Sequence, residues 1–374
     1  MPDTTMPDTP KLDYKSAGVD IEAGNEAVRR IEQHVARTHS PAVLTGLGAF
    51  GSVFSLTNAI KDLADPVMVQ STDGVGTKTK VTVAAAEADI ALGRSPLPRY
   101  EALGRDLVAA VAGDIAVMGA TPLTFLDYLG VHHVDPNLIE ALVKGMASAC
   151  EEASIALVGG ETAEMPSVYA PGELDVVGFV TGIVDRPSLL TGASIAAGDT
   201  LYALSSSGLH TNGWSLARKL LFDVAHLHIL DAPSALNGEI LADALLAPHA
   251  NYVMPIRAIL SAHIPVKGMA HITGGGLVEN LPRILPENLT AVIDRSTWQP
   301  QRIFALLQSL GNIDTHEMHR TFNMGVGLVL VAPPGFHTAL STALKNFPHL
   351  RVWELGRIES SPIPEPSIRL EPPS

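Results

Sequence analysis

Two rhythms of apolar and polar residues alternate along the chain. Residues 25–38 carry Ala27, Ile31 and Val35 at helical spacing, and residues 103–118 repeat it with Leu107, Val108, Val111, Ile115 and Met118. The same spacing predicts helices over 137–152, 214–224, 252–262 and 277–284. Short apolar runs between them predict strands at 67–69, 123–129, 155–158, 176–180, 200–204, 324–331 and 352–358, with a further strand at 52–56. Strands alternating with helices predict an α/β chain of α+β type: two domains, each a mixed sheet with helices packed on one side. Pro187, Gly192 and Gly198 mark a linker over 187–198. The boundaries that follow are a tail at 1–13, a first domain at 14–186, a second at 199–360 and a loose proline-rich end at 361–374. No repeat at a solenoid period is present.

The stretch Val67–Lys78 organises the rest. An apolar strand breaks into Ser71-Thr72-Asp73-Gly74-Val75-Gly76-Thr77-Lys78. Glycines let backbone N–H groups turn toward an anion, an Asp at a strand end suits Mg²⁺ beside phosphates, and a lysine offers a point charge. A plain hairpin turn with a solvated Asp and Lys explains the same letters. Asp114 lies among apolar residues of the 103–118 helix, where a carboxylate is costly unless paired or metal-bound. Gly159-Gly160-Glu161 repeats the design of strand, glycines and acid. In the second domain, 205–213 is a hydroxyl-rich turn before a helix. It carries His210, which is either structural or functional, and Asn212. Thr273-Gly274-Gly275-Gly276 opens another helix and offers a second phosphate-sized cradle.

Two motifs are set aside. Gly46-Leu47-Gly48-Ala49-Phe50-Gly51 fits Gly-x-Gly-x-x-Gly, but a dinucleotide site needs a helix at once, and 52–56 reads as a strand. A flexible flap suits these glycines better. His316-Glu317-Met318-His319 is one residue short of a zinc motif, sits beside a predicted strand and reads as surface or substrate-side polarity.

Composition narrows the classes. The chain has 374 residues, 46% hydrophobic and 17% charged, which suits two folded cores rather than disorder. A net charge of -14 argues against nonspecific DNA or RNA binding, and leaves anionic substrates to local loops and metal ions. The single cysteine, Cys150, in an alanine-rich helix, reads as core and fits a reducing cytoplasm. No apolar run of about 18 residues predicts a membrane span, and residues 1–10 lack the regions of a signal peptide.

Taken together, these strings resemble the phosphoribosylformylglycinamidine cyclo-ligase (aminoimidazole ribonucleotide synthetase) family. The match runs through Tyr14-Lys15-x-Ala17-Gly18-Val19-Asp20-Ile21, the 46–51 glycines, Thr72–Lys78, Phe125-Leu126-Asp127-Tyr128 and Leu157–Pro166. It continues through Ser206-Ser207-Gly208-x-His210-x-Asn212-Gly213, Thr273–Gly276 and Arg320–Gly327. The resemblance implies ATP-dependent closure of formylglycinamidine ribonucleotide to aminoimidazole ribonucleotide in purine synthesis, releasing ADP and phosphate. It implies a homodimer paired through the first domains, and that the first domain binds ATP. On that basis Asp73, Asp114 and Glu161 are expected to hold Mg²⁺. Lys78 and the Gly74–Gly76 backbone, with Thr77, are expected on phosphate, and Lys15, Gly48, Gly51, Gly159 and Gly160 around the nucleotide. Thr273, Gly274, Gly275 and Gly276 are expected on the substrate phosphate. His210 and Asn212 are expected to face the amidine, with His210 a proton acceptor.

Three departures fall in the first domain. Gly113 stands where the family commonly has Asn; His132-His133 replaces a basic turn; and 83–103 is longer and alanine-rich. The rival readings are another oxygen-activating enzyme of the superfamily, such as a thiamine-monophosphate kinase or selenophosphate synthetase, or a catalytically weakened nucleotide-binding protein.

Overall fold

The computed structural model describes residues 13–372; the expected tail at 1–13 lies, but for Asp13, outside them. The first domain opens with α1 (Ile21–Ala36), whose N-terminal amides at Glu22 and Ala23 donate to the Asp20 carboxylate. After a four-residue turn of helix, α2 (Thr57–Ile60), come β1 (Pro66–Gly74), α3 (Lys78–Ala91), α4 (Leu97–Ala116), β2 (Thr121–Val131), α5 (Pro136–Ala153), β3 (Ala156–Glu164) and β4 (Leu174–Asp185). Pro98 is the second residue of α4 and fits there because the first helical turn needs no N–H from it. The sheet order is β1-β4-β2-β3, with only the β2–β3 pair parallel. Phe125, Leu129 and Val131 point inward from β2 toward α4 and join one buried cluster with Leu107 of α4 and Leu142 of α5. The opposite face stays bare at Met68, Leu126 and Phe179.

The second domain adds β5 (Thr200–Ser205), α6 (Trp214–Arg218), α7 (Leu241–Leu245), α8 (Val253–Ser261), β6 (Gly268–His271), α9 (Gly276–Asn280) and β7 (Leu289–Asp294). It closes with α10 (Arg302–Gly311), α11 (Thr315–Thr321), β8 (Val326–Ala332), α12 (His337–Ala343), β9 (Val352–Ser360) and β10 (Ser367–Glu371). Its six-stranded mixed sheet runs β10-β7-β9-β5-β8-β6. The two domains share cores. Tyr252, Ile256 and Leu328 pack with Leu107, Val108 and Leu142, while Val81 and Ala85 of α3 pack with Trp214 and Leu245. The 187–198 linker is likewise packed, with the Leu190 N–H donating to the Met118 carbonyl.

Several expectations are corrected. Residues 52–56 form a single bridge, Val43 to Phe54, not a strand. The 214–224 helix widens into a π turn after Arg218, and 277–284 is the short α9 followed by a 3₁₀ turn. Residues 361–372 of the expected loose end are not loose: β10 lies parallel to β7 with Leu370 opposite Ile293, while 373–374 lie outside the described residues. Ion pairs from Arg369 to Glu359 and from Arg357 to Glu371 tie it down. His316 and His319 sit on α11, and His319 is buried with Nδ1 bonded to the Thr315 carbonyl.

Candidate active site

Strand β1 carries Asp73 out of the sheet and stops at Gly74; α3 starts at Lys78 with no side chain capping its first turn. The 74–77 turn therefore presents backbone at the positive end of a 14-residue helix, although the Lys78 and Lys80 N–H groups already donate to the Val75 and Thr77 carbonyls. The Gly74 N–H is turned back onto the Asp73 carboxylate at 2.7 Å. Burial, joined by the charge of Asp114, holds the Asp73 carboxyl above the usual carboxylate range, against the lowering effect of that N–H. Asp114 reaches the same spot from α4. Its Oδ2 accepts from Ser71 Oγ at 3.2 Å, and its Oδ1 lies 2.9 Å from His271 Nδ1 at the end of β6.

Second-domain loops close over this turn. The Thr211 carbonyl faces Gly76, Thr77 Oγ1 lies 3.4 Å from Ser215 Oγ, and the Asn212 side chain stands against Gly274. Loops 73–77, 210–213 and 273–276 thus meet at one interdomain cleft. Two of the three glycines have packing duties as well. A Cβ at Gly275 would strike Glu279, and one at Gly276 would come within 2.1 Å of the His319 carbonyl, with both glycines in left-handed conformation. Asn280 Nδ2 holds the turn by donating to the Gly274 and Gly276 carbonyls.

A second hollow, about 980 Å³, lies between α1, the glycine flap and the β2–β3 edge. Gly48, Gly51, Gly159, Gly160 and Glu161 all line it, so the flap and the Gly-Gly-acid string belong together. Gly159 and Gly160 continue β3 as strand, beyond the expected 155–158.

Glu161 is not with the other two carboxylates. Asp73 pairs with Gly178, Gly178 with Asp127, and Asp127 with Gly160. Asp73 and Glu161 therefore lie on opposite edge strands, three strand spacings or about 14 Å apart. Among the described residues no three His, Cys, Asp or Glu side chains form a metal-holding group. The expected trio reduces to the pair Asp73 and Asp114. Two carboxylates facing an open loop still fit Mg²⁺, which commonly takes one or two protein carboxylates and completes its shell with phosphates and water.

Two further expectations are corrected. Lys78 does not face the loop; it is 1% exposed and paired at 2.5 Å with Asp106, itself buried. His210 is not free to accept a proton. It is buried in the left-handed conformation, its Nε2 already accepts the Ser207 and Ala250 N–H groups, and its ring stacks on His249 at 3.8 Å. Burial and the nearby His271 and Lys78 push its pKa well below the usual imidazole value. Lys15 is exposed and paired with Asp20 at 2.7 Å, outside the residues lining the flap hollow. His132 and His133 bond the Tyr169 carbonyl and Glu164, so both turn toward the 164–169 loop. In the alanine-rich insertion, Arg99 bridges Asp89 and Asp243 across the domain boundary. Cys150 is fully buried, as expected of core, and burial drives its thiol pKa up.

Sequence reasoning missed Asp127. It occupies an inward position of β2 between Phe125 and Leu129, lines the flap hollow, and takes the space that a side chain at Gly160 would fill. Burial raises its pKa to about 7. A lone acid at an inward position of an alternating strand was the available signal. The native state holds this proton up to about pH 7, whereas an unfolded Asp releases it near pH 4. Stability from protonated Asp127 is thus present below about pH 4 and lost as pH rises toward 7. Asp127→Asn should raise the thermal midpoint more at pH 8 than at pH 5, in metal-free buffer. An equal shift at both would show that Asp127 does not titrate in this window.

Comparison with known proteins follows the same outline. The N-terminal domain model of AIR synthase related proteins matches residues 57–184, and the C-terminal domain model matches 196–368. The phosphoribosylformylglycinamidine cyclo-ligase of Brevibacillus brevis is 47% identical over 321 residues, covering 86% of this chain and 88% of its own. That of Nitrosospira multiformis is 42% identical over 360 residues, covering 96% of each. Among solved structures, thiamine-monophosphate kinase from Stenotrophomonas maltophilia superposes with a TM-score of 0.64 at 19% identity, over 92% of this chain and 96% of that one. The hydrogenase maturation protein HypE in complex with ATP gives 0.60 at 14%, over 92% and 91%. These last two bear on the fold alone.

Proposed function

Because the chain belongs to the phosphoribosylformylglycinamidine cyclo-ligase family, we propose that it closes formylglycinamidine ribonucleotide to aminoimidazole ribonucleotide at the expense of ATP. The observation that carries the site assignment is the convergence of loops 73–77, 210–213 and 273–276 on the Asp73–Asp114 pair. The formyl oxygen is a poor leaving group until it attacks the γ-phosphorus and ADP departs. An amidine nitrogen of the same molecule then adds to the formyl carbon, and phosphate leaves with that oxygen. Attack within one molecule needs no encounter entropy, so the chain's task is to orient the substrate and exclude water.

We assign the nucleoside to the flap hollow and the phosphates to the 74–77 backbone and the start of α3. The separation of about 14 Å lies within the span of an extended nucleoside triphosphate. Asp73 and Asp114 would hold Mg²⁺, which when bound screens phosphate charge during transfer. Asn212, beside Gly274 at the meeting of the three loops, would hydrogen-bond the amidine. Thr273 and Gly274 are left for the substrate phosphate, since Gly275 and Gly276 are already required by packing.

The test is a coupled assay with formylglycinamidine ribonucleotide, ATP and Mg²⁺. Phosphate release that depends on the ribonucleotide, with aminoimidazole ribonucleotide formed in equal amount, supports the reading. ATP hydrolysis indifferent to the ribonucleotide would sink it.

We also propose a homodimer through the bare face of the first sheet, supported by Met68 (62% exposed), Leu126 and Phe179 on neighbouring strands. A single species near 39.4 kDa in sedimentation at micromolar concentration would remove that proposal. Work in the cytoplasm follows the same reading. It is supported by the lone cysteine and by the absence, among the described residues, of a helix long and apolar enough to cross a membrane. Recovery of the protein in a membrane or secreted fraction would argue against it.

A further inference from the structure

The proposed phosphate end of the site lies in the first domain, yet one of its carboxylates is held by the second. His271 ends β6, and its Nδ1 lies 2.9 Å from Asp114 Oδ1 on α4. The imidazole is buried, and its Nε2 has no partner. Nδ1 therefore supplies the one hydrogen bond the ring makes, donating its proton to the carboxylate. The reach depends on Gly113. A Cβ there would lie 2.6 Å from His271 Cε1 and 2.9 Å from Nδ1. A side chain at position 113 would push the ring away from Asp114. Ser71 Oγ holds the other oxygen from β1, so Asp114 is clamped from both domains. Tyr252 and His249 stand edge-on to the His271 ring and limit its rotation.

We propose that His271 is a positioning residue for the metal-nucleotide site, and that Gly113 is the gap through which it acts. The Asp114 carboxylate is held at both oxygens only when the second domain is seated against α4. Outer-shell groups that orient a ligating carboxylate typically contribute 10- to 100-fold in metal affinity. This rests on Asp73 and Asp114 being the phosphate-side carboxylates, as assigned above.

The test measures binding of the non-hydrolysable analogue AMP-PNP by calorimetry, with Mg²⁺ and with EDTA. His271→Leu should weaken binding about tenfold in Mg²⁺ and leave binding in EDTA nearly unchanged. His271→Asn, whose amide N–H lies near the position of Nδ1, should recover most of the loss. Gly113→Ala should reproduce the loss with His271 intact. Asp73→Asn is the reference. If it loses Mg²⁺-dependent binding while His271→Leu and Gly113→Ala keep it, this proposal falls and the site assignment stands. If Asp73→Asn also binds normally, the assignment falls and takes the proposal with it. Equal weakening in EDTA and Mg²⁺, with no recovery in a His271→Asn variant of parental near-ultraviolet circular dichroism, would show a merely structural role and overturn the proposal.

Discussion

Replacing Asp73 by asparagine is expected to lower kcat/KM for ATP by about 100-fold or more, about 2.7 kcal/mol of transition-state stabilisation, while the fold holds. The side chain is half-buried at the mouth of the cleft and still reaches solvent, and its one hydrogen bond is to its own neighbour, Gly74. It sits near the like charge of Asp114, and burial with that charge already lifts its pKa. Removing the charge should therefore leave the thermal midpoint unchanged or slightly higher, as expected of a residue retained for chemistry rather than stability. Steady-state kinetics beside a melting curve separate the two effects. A variant of normal turnover, or one that loses activity only because it melts, would remove Asp73 from the site.

The largest stability effect is expected at Asp106. Its carboxylate and the Lys78 ammonium are both 1% exposed, and the His249 N–H adds a 2.6 Å bond to Asp106 Oδ1. Burial pushes the carboxyl pKa up and the neighbouring ammonium pulls it back. Asp106→Leu would strand a buried ammonium and should cost about 3–5 kcal/mol. The double variant Lys78→Met, Asp106→Leu should recover most of that, because the penalty comes from an unpaired charge rather than from the loss of a strong bond. Chemical denaturation of the parent, both single variants and the double variant measures it. An Asp106→Leu protein as stable as the parent would mean that Lys78 finds water.

Much of the first domain could be read from the chain. The period-two run around Phe125 and the helical repeats through Leu107 and Leu142 each report a face against a core, and those faces are where the pattern puts them. Strand β6 escaped because four residues, all buried, show no alternation. Strand β10 escaped because prolines at 362, 364 and 366 mask the five residues that follow. The site was legible in its parts but not in its grouping. Asp73 and Glu161 have the same local look, strand then glycine and acid, yet strand order sends them to opposite edges. The burial of Lys78 and His210 was equally hidden, since Asp106, which pairs with Lys78, and His249, on which His210 stacks, are 28 and 39 positions away. Gly113 read as a departure within α4. Its reason, the His271 ring, lies 158 positions downstream.

The late strand β10 carries a liability in handling the protein. It is the outermost strand of its sheet and shields β7, whose residues Leu289–Ile293 are all buried. Proteolytic trimming before Ser367, or premature termination there, would uncover an apolar ribbon of unpaired N–H and C=O groups without touching a residue of the cleft. Such a truncated chain should keep its catalytic groups and still precipitate. Batches with a ragged carboxyl terminus would then turn cloudy before they turn inactive.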